Sequence, residues 1–315
     1  MSNSLLIKTK RTKRMGYVFI LPALTFFAIY VLYPIIFITR NSVFKWSTLN
    51  DQVFVGFENF KTLLTDDIFW KTVKNSLVWI VVTVPVQAII GFFLAYAIEE
   101  VIRKKHFRGT QKSQSFYRTL YFIPVVISVT VVAIIFSKIF QPYQGIIGYY
   151  LNKFFGASPT INVLGDPNKA LFGVMLANIW EWTGWSMLMY IGGMSQISAD
   201  LIEASEIDGA STWQKIRYIY IPSLASVHKA LLMLGVIGSL QTYALVNVMT
   251  NGGPNHATEM PGTYIFLKGF TQTQMGYACT ISVAILLFAL VLTAIQIRFL
   301  GSGDFMKTGG GRSGK

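Results

Sequence analysis

Residues 170–191 read ALFGVMLANIWEWTGWSMLMYI, an uninterrupted apolar run holding a single charge, Glu181, among Trp180, Trp182 and Trp185. About 20 such residues, coiled as a helix, cross the roughly 30 Å hydrocarbon layer of a bilayer. The run is continuously apolar instead of alternating at period two, so it reads as a spanning helix and not as a strand of a barrel. Five more stretches of this kind lie at roughly 15–39, 76–98, 119–137, 230–249 and 277–299. The expected fold is all-α: a polytopic membrane protein with six transmembrane helices.

Composition agrees. Of 315 residues, 53% are hydrophobic and 13% charged, with a mean hydropathy of +0.49. Soluble domains are about 25% charged, so an ordinary soluble enzyme and a disordered chain are both excluded. The net charge of +13 follows loop orientation. With the N-terminus placed in the cytoplasm, inner segments carry 18 Lys and Arg and outer loops 8, which favours both termini inside. That split accounts for the basic excess without nucleic acid as a partner. Residues 1–14 then form a basic cytoplasmic N-terminus, and the Gly-rich residues 301–315 a disordered tail. Pro22 and Pro34, and the lack of a small-residue cleavage site, argue against a cleaved signal peptide in the first stretch. Outer loops 41–75 and 138–169 are long enough for short interfacial helices, with Trp46, Trp70, Tyr143, Tyr149 and Tyr150 suited to that depth. One cysteine, Cys279, forms no intrachain disulfide and reads as a small packing residue. His106, His228 and His256 show no metal-ligand spacing, and no metal is expected.

The fourth and fifth stretches are joined by a long inner loop whose part 198–222 reads SADLIEASEIDGASTWQKIRYIYIP. Ser198 can cap a helix whose first turns hold Asp200 and Glu203, where the helix dipole favours acids. Gly209 can end it in a left-handed conformation. Ser211 and Gln214 fit a capping box for a second helix, and Pro222 closes it. A folded, acid-bearing helix–turn–helix runs against the basic trend of inner loops.

The spacing Glu203-Ala204-Ser205, then Gly209, then Ile219-x-Ile221-Pro222 resembles the EAA motif of membrane permeases in binding-protein-dependent ABC importers. Ser205 and Ile221 are small departures from it. Phe54–Phe60, Arg118–Pro124 and Thr250–Pro254 resemble the carbohydrate branch, of the maltose and glycerol-phosphate first-subunit type, and the likeness covers about 15–299. The resemblance implies that Glu203, Ala204, Ser205, Asp208 and Gly209 form a coupling helix docking on a cytoplasmic ATPase. It also implies two copies of that ATPase, a second permease completing a heterodimer, and an extracytoplasmic solute-binding protein. The location implied is a bacterial or archaeal plasma membrane. No cofactor is expected in this chain, ATP-Mg being bound by the ATPase subunits. The stretch Gly309–Lys315 matches G-x-x-x-x-G-K, but a phosphate loop needs a following helix and a hydroxyl residue after the lysine, and Lys315 is the last residue, so no phosphate binding is expected there.

Polar residues at membrane depth are functional candidates. Asn178, Glu181, Trp182 and Trp185 fall at i, i+3, i+4 and i+7, one helical stripe. Gly235, Ser239, Tyr243 and Asn247 recur at spacing four on the fifth stretch, with Thr242 beside them and Gln241 off the stripe. Two such stripes at one depth can line a wet cavity. In the maltose-type permeases it resembles, the sugar pocket is built from these two helices. Asn178, Glu181, Trp182, Trp185, Gly235 and Ser239 align with its lining. Aromatic and uncharged polar lining suits a neutral oligosaccharide, and Glu181 argues against a strongly anionic substrate such as a polyuronate or glycerol phosphate. Gln87 reads as an interhelical hydrogen bond, Trp180 as packing, and His106 and His228 as solvated or interfacial groups. The chain is expected to be no enzyme: no paired carboxylates, metal set or Ser/His/Asp arrangement supports a catalytic site. The alternative is a stand-alone secondary transporter using Glu181 as a proton relay, which leaves the EAA-like loop unexplained.

Overall fold

A computed structural model describes residues 19–47, 51–104, 110–142, 145–155 and 162–300. The basic N-terminus, the Gly-rich tail, His106 and Tyr143 lie outside them. The described helices are α1 (Phe19–Asn41), α2 (Glu58–Leu64), α3 (Asp67–Lys104), α4 (Thr110–Val126), α5 (Val129–Ile139), α6 (Ile146–Phe155), α7 (Ala170–Met194), α8 (Ala199–Ile207), α9 (Thr212–Ser223), α10 (Ala225–Leu240), α11 (Ala244–Met249), α12 (Pro261–Phe266) and α13 (Met275–Leu300). Among the described residues the strands are β1 (Phe44–Lys45) and β2 (Val53–Phe54), an antiparallel pair with Phe44 opposite Phe54.

Phe19–Asn41, Asp67–Glu100 and Met275–Phe299 are long and apolar enough to cross a membrane. The expected third and fifth spans are not continuous helices. Gln114–Val126 and Val129–Ile139 meet at 92°, and Thr212–Ser223 and Ala225–Leu240 at 66°. Each pair qualifies only if its two members count as one span. At the first bend, Pro124 offers no amide hydrogen to its helix and Ser128 turns extended (φ −57°, ψ 133°). The expected 230–249 stretch begins at Ala225, stops at Leu240, and resumes only at Ala244. α7 has the length of a span, 25 residues, but its tryptophans, Asn178 and Glu181 leave it less apolar.

Two prolines follow the same local rule. The Tyr33 amide bonds to Ala28 O just before Pro34, and the Ile221 amide to Ile216 O just before Pro222. Widening the preceding turn to a π-turn moves aside the carbonyl that each ring would strike.

The chain forms two compact units: residues up to Asp66 with Ile265–Leu287, and Asp67–Tyr264 with the residues from Phe288. In the first, Asn59 Nδ2 donates to Ser42 O (2.8 Å) and Phe44 O (3.0 Å), and Thr280 Oγ1 donates to Ser42 O (2.9 Å). These bonds tie the hairpin and α2 to α13. In the second unit, the Thr250–Pro254 turn places Asn251 and Gly252 at positive φ. A side chain on Gly252 would meet the Glu259 carboxylate at 2.5 Å. The segment is stitched to α3 by Asn75 Nδ2, donating to Ala257 O (3.0 Å) and Glu259 O (2.9 Å), and by Lys71 Nζ, donating to Asn255 O (2.8 Å).

The second unit has two buried cores. One gathers Phe92 and Tyr96 of α3, Met187 to Met194 of α7, Ile202 of α8, Ile216 and Tyr220 of α9, and Leu231. The other gathers Trp79, Val132, Val174, Met175, Leu245 and Met260. α7 contributes its first turns to one core and its last turns to the other, and its polar middle lies between them. Small residues allow the close contacts. A Cβ on Gly91 would lie 2.6 Å from Ser186 Cβ and 2.8 Å from Met187 N, and one on Gly184 would strike the Tyr121 carbonyl. Packing of this kind holds helices together in membranes. Gly91→Val is therefore expected to push α3 off α7 at a cost of about 1–3 kcal/mol. A lowered Tm of the purified protein in detergent would show it, and an unchanged Tm would contradict this packing.

Candidate functional site

Between the two cores of the second unit lies a cavity of about 380 Å³, bounded by α3, α7, α10 and the break at 241–243. Small-molecule pockets are typically about 300–1,000 Å³. α7 supplies Asn178, Glu181, Trp182, Trp185 and Ser186, and α10 supplies Gly235, Gly238 and Ser239. The stripe expected on α7 lies together on the cavity wall. Trp182 and Trp185 are 43% and 39% exposed, so their rings remain open to contact. Glu181 is the one charged residue in the lining, 3% exposed, and its Oε2 has no hydrogen-bond partner among the described residues.

Gln87 reaches in from α3. Its Nε2 donates to Asn178 Oδ1 (2.9 Å) and Asn178 O (3.2 Å). The expected interhelical bond is present, and Gln87 also lines the cavity. Ser239 Oγ donates to Gly235 O (2.7 Å) and Thr242 Oγ1 to Gly238 O (3.3 Å), which leaves both hydroxyl oxygens able to accept. Trp180 packs on Phe136 with ring centroids 5.5 Å apart, off the cavity, as expected.

The second expected stripe holds only in part. Gly235, Ser239, Thr242 and Tyr243 line the cavity, but Asn247 does not. Spacing four assumed one continuous helix. Tyr243 instead takes φ −135°, ψ −63°, and α11 starts with a new phase after it. The same break turns Gln241, off the helical stripe, into a lining residue. The sequence reading also missed Trp79 and Thr83, which with Gln87 recur at spacing four on α3. That periodicity was the available signal.

The loop after α7 folds as its caps predict. Ser198 Oγ accepts from Leu201 N, and Ser211 and Gln214 satisfy each other's amides at 3.3 and 2.7 Å. Gly209 has φ +73°, with open space where a Cβ would point. Glu203, Ala204 and Asp208 are exposed and Ser205 is half-exposed. Ile207 is 87% exposed and Trp213 60%. Lys215, counted among the orienting inner charges, is instead buried, with Nζ 3.1 Å from Glu206 Oε1 and 3.4 Å from Glu100 Oε1.

A helix α3 long and apolar enough to cross a membrane, a tryptophan-lined cavity beside it and a folded loop exposing acids and apolar groups fit a membrane transport permease. Residues 76–299 match the family of binding-protein-dependent transport system inner membrane components. The chain is 29% identical over 294 residues to the probable ABC transporter permease protein YurN of Bacillus subtilis (strain 168), covering 93% of this chain and 98% of that protein. It is also 29% identical over 310 residues to the trehalose/maltose transport system permease protein MalF of Thermococcus litoralis (strain ATCC 51850 / DSM 5473 / JCM 8560 / NS-C), covering 98% and 100%. Its fold resembles a chain in the crystal structure of a bacterial ABC transporter importing the acidic polysaccharide alginate. The TM-score is 0.79 at 21% identity, over 94% of this chain and 98% of that one. The chain belongs to the binding-protein-dependent transport system inner membrane component family. Membership removes the stand-alone secondary transporter as an alternative.

Two glycines of α10 separate cavity from packing. Gly238 has nothing within 4 Å of a Cβ, whereas a Cβ on Gly235 would meet Val84 at 2.6 and 2.8 Å. Gly238→Phe is expected to fill the cavity, abolish uptake and leave Tm and assembly unchanged. Gly235→Val is expected to lower Tm. Normal uptake by an assembled Gly238→Phe complex would remove this cavity from the transport path.

Proposed function

We propose that this chain is one permease subunit of an ATP-driven, binding-protein-dependent importer of a carbohydrate, an oligosaccharide by the size and lining of its cavity. The observation that carries the reading is the pair of open rings, Trp182 and Trp185, beside the Gln87–Asn178 amides in one cavity. Aromatic faces pack on the apolar side of pyranose rings, and amides, hydroxyls and a carboxylate take sugar hydroxyls. The likeness to a relative named for trehalose and maltose supports the same class.

In this reading six spans cross the membrane: α1, α3, the bent α4–α5 pair, α7, α10 with α11 beyond the break at 241–243, and α13. Both termini are cytoplasmic, in a bacterial or archaeal plasma membrane. Asn178, Glu181, Trp182, Trp185, Gly235, Ser239, Thr242 and Tyr243 line half of the substrate path, joined by Gln87 and Gln241. Asn247, outside the lining, is not part of it. A second, related permease completes the path as a heterodimer, and a solute-binding protein delivers the sugar from outside. Glu203, Ala204, Ser205, Asp208 and Gly209 present the coupling surface to one of two ATPase copies, which hold the ATP-Mg. The small Ala204 and Ser205 admit close approach of that partner.

Glu181→Ala is expected to cut uptake per assembled complex about ten- to a hundredfold, since a hydrogen bond to a charged group contributes about 1.5–3 kcal/mol, and Trp185→Ala to lower it about tenfold through lost ring packing. Basal ATPase and assembly should stay intact. Unchanged uptake in both variants would remove the stripe from the path, and a loss confined to assembly would make Glu181 structural.

Gly209→Val tests the coupling surface separately. A β-branched residue in the left-handed region carries a steric cost of about 1–2 kcal/mol. ATP hydrolysis is expected to persist while uptake falls. Normal substrate-stimulated uptake in the Gly209→Val complex would overturn the coupling role.

A further inference from the structure

The burial of Lys215 is unexpected for an inner-face lysine in a basic-inside protein. It closes the first turn of α9, one residue after the capping-box Gln214, and is 3% exposed. Its Nζ bridges two carboxylates on different elements: Glu206 of α8 at 3.1 Å and Glu100 of α3 at 3.4 Å. The same elements also share an apolar cluster. Tyr96 of α3 meets Tyr220 edge-on at 5.1 Å, and Ile202 and Ile216 complete the buried cluster. One residue before Glu100, Glu99 binds Arg118 of α4 at 2.7 Å.

We propose that Lys215 is a positioning residue that clasps the coupling loop to the inner end of α3, so that movement of the loop is passed to the cavity along that helix. The proposal rests on the coupling role given to the loop above. α3 is the element that reaches both places. It carries Gln87 into the cavity and Glu100 to the clasp, thirteen residues apart, roughly 20 Å along a rigid helix. α8 alone is tethered to the rest by little else that is buried, since only Ile202 on it is buried. The backbone closes the turn at Gly209 through Ala210 N, which donates to Ser205 O (2.9 Å). Glu206 and Lys215 lie on opposite sides of Gly209, and their ion pair adds a side-chain bridge across it that also reaches α3 through Glu100.

The ionic chemistry itself points to transmission more than to stability. A buried ion pair replaced by well-packed apolar or neutral groups is often neutral or stabilising, while its specific geometry can hold a register. Removing both buried charges together should therefore spare the fold and lose the register. A purely structural role makes the reverse forecast.

The test uses the whole importer, with its partner permease, ATPases and binding protein, reconstituted in liposomes and supplied with its sugar-loaded binding protein. Uptake per ATP hydrolysed is compared with Tm. For Lys215→Met combined with Glu100→Gln, unchanged Tm with a roughly tenfold drop in uptake per ATP is expected, within the usual range of coupling between sites. Lys215→Arg should restore most of it. Glu206→Gln, at a half-exposed site, should lower the ratio without touching assembly, and decides the matter if the double variant fails to assemble. Uptake per ATP equal to wild type in the assembled double variant, or in Glu206→Gln, overturns the clasp. Gly209→Val serves as the reference: if it uncouples while the Lys215 variants do not, the coupling loop stands and only the clasp falls. If Gly209→Val also stays coupled, the coupling role itself is wrong.

Discussion

The approach of α3 to α7 at Gly91 is the constraint on which the second unit depends. A side chain there would enter the space held by Ser186 and the Met187 amide. With that contact made, Phe92 and Tyr96 reach Met187 and Tyr190 on one side, and Gln87 reaches Asn178 on the other. The apolar core, the cavity wall and the arm that carries Glu100 to the inner loop therefore share one helix pair. In lipid there is little hydrophobic force between helices, so close packing and interhelical hydrogen bonds must hold them. This pair uses both.

The cavity exists because that pair is interrupted by polar groups and its neighbour by a broken backbone. Unpaired amides facing lipid are costly, so irregular backbone at membrane depth survives only inside protein or beside water. In the proposed six-span arrangement the break at 241–243 fits that rule, since Gln241, Thr242 and Tyr243 all line the cavity. Glu181 fits it as well. A carboxylate at the middle of a span costs about 2.5–3.5 kcal/mol on insertion scales if it faces lipid. Here it turns inward and is buried.

Much of this was legible in the sequence, for identifiable reasons. Local rules with strict geometry carried through: the Ser198 cap, the Ser211–Gln214 capping box and the left-handed Gly209 are all present. The α7 stripe was legible because α7 is one unbroken helix whose period holds from Asn178 to Trp185. Asn247 was misplaced because a period says nothing once the helix stops. The break after Leu240 has no proline to announce it, whereas Pro124 and Pro222 mark the bends near them. Lys215 was illegible for a different reason. Its partner Glu100 lies 115 residues away, and only tertiary contact distinguishes a buried bridge from a solvated charge.

The central claim, that the cavity between α7 and α10 is a wet part of the translocation path, is most directly tested by the reactivity of one added thiol. Gly238→Cys places it where the wall is open, and the native Cys279 is buried, which keeps its background low. In the assembled importer, a charged, membrane-impermeant thiol reagent should modify this position, and sugar-loaded binding protein with ATP should change the rate. A thiol at 238 that stays unreactive through the cycle, in a complex that still transports, would contradict the account.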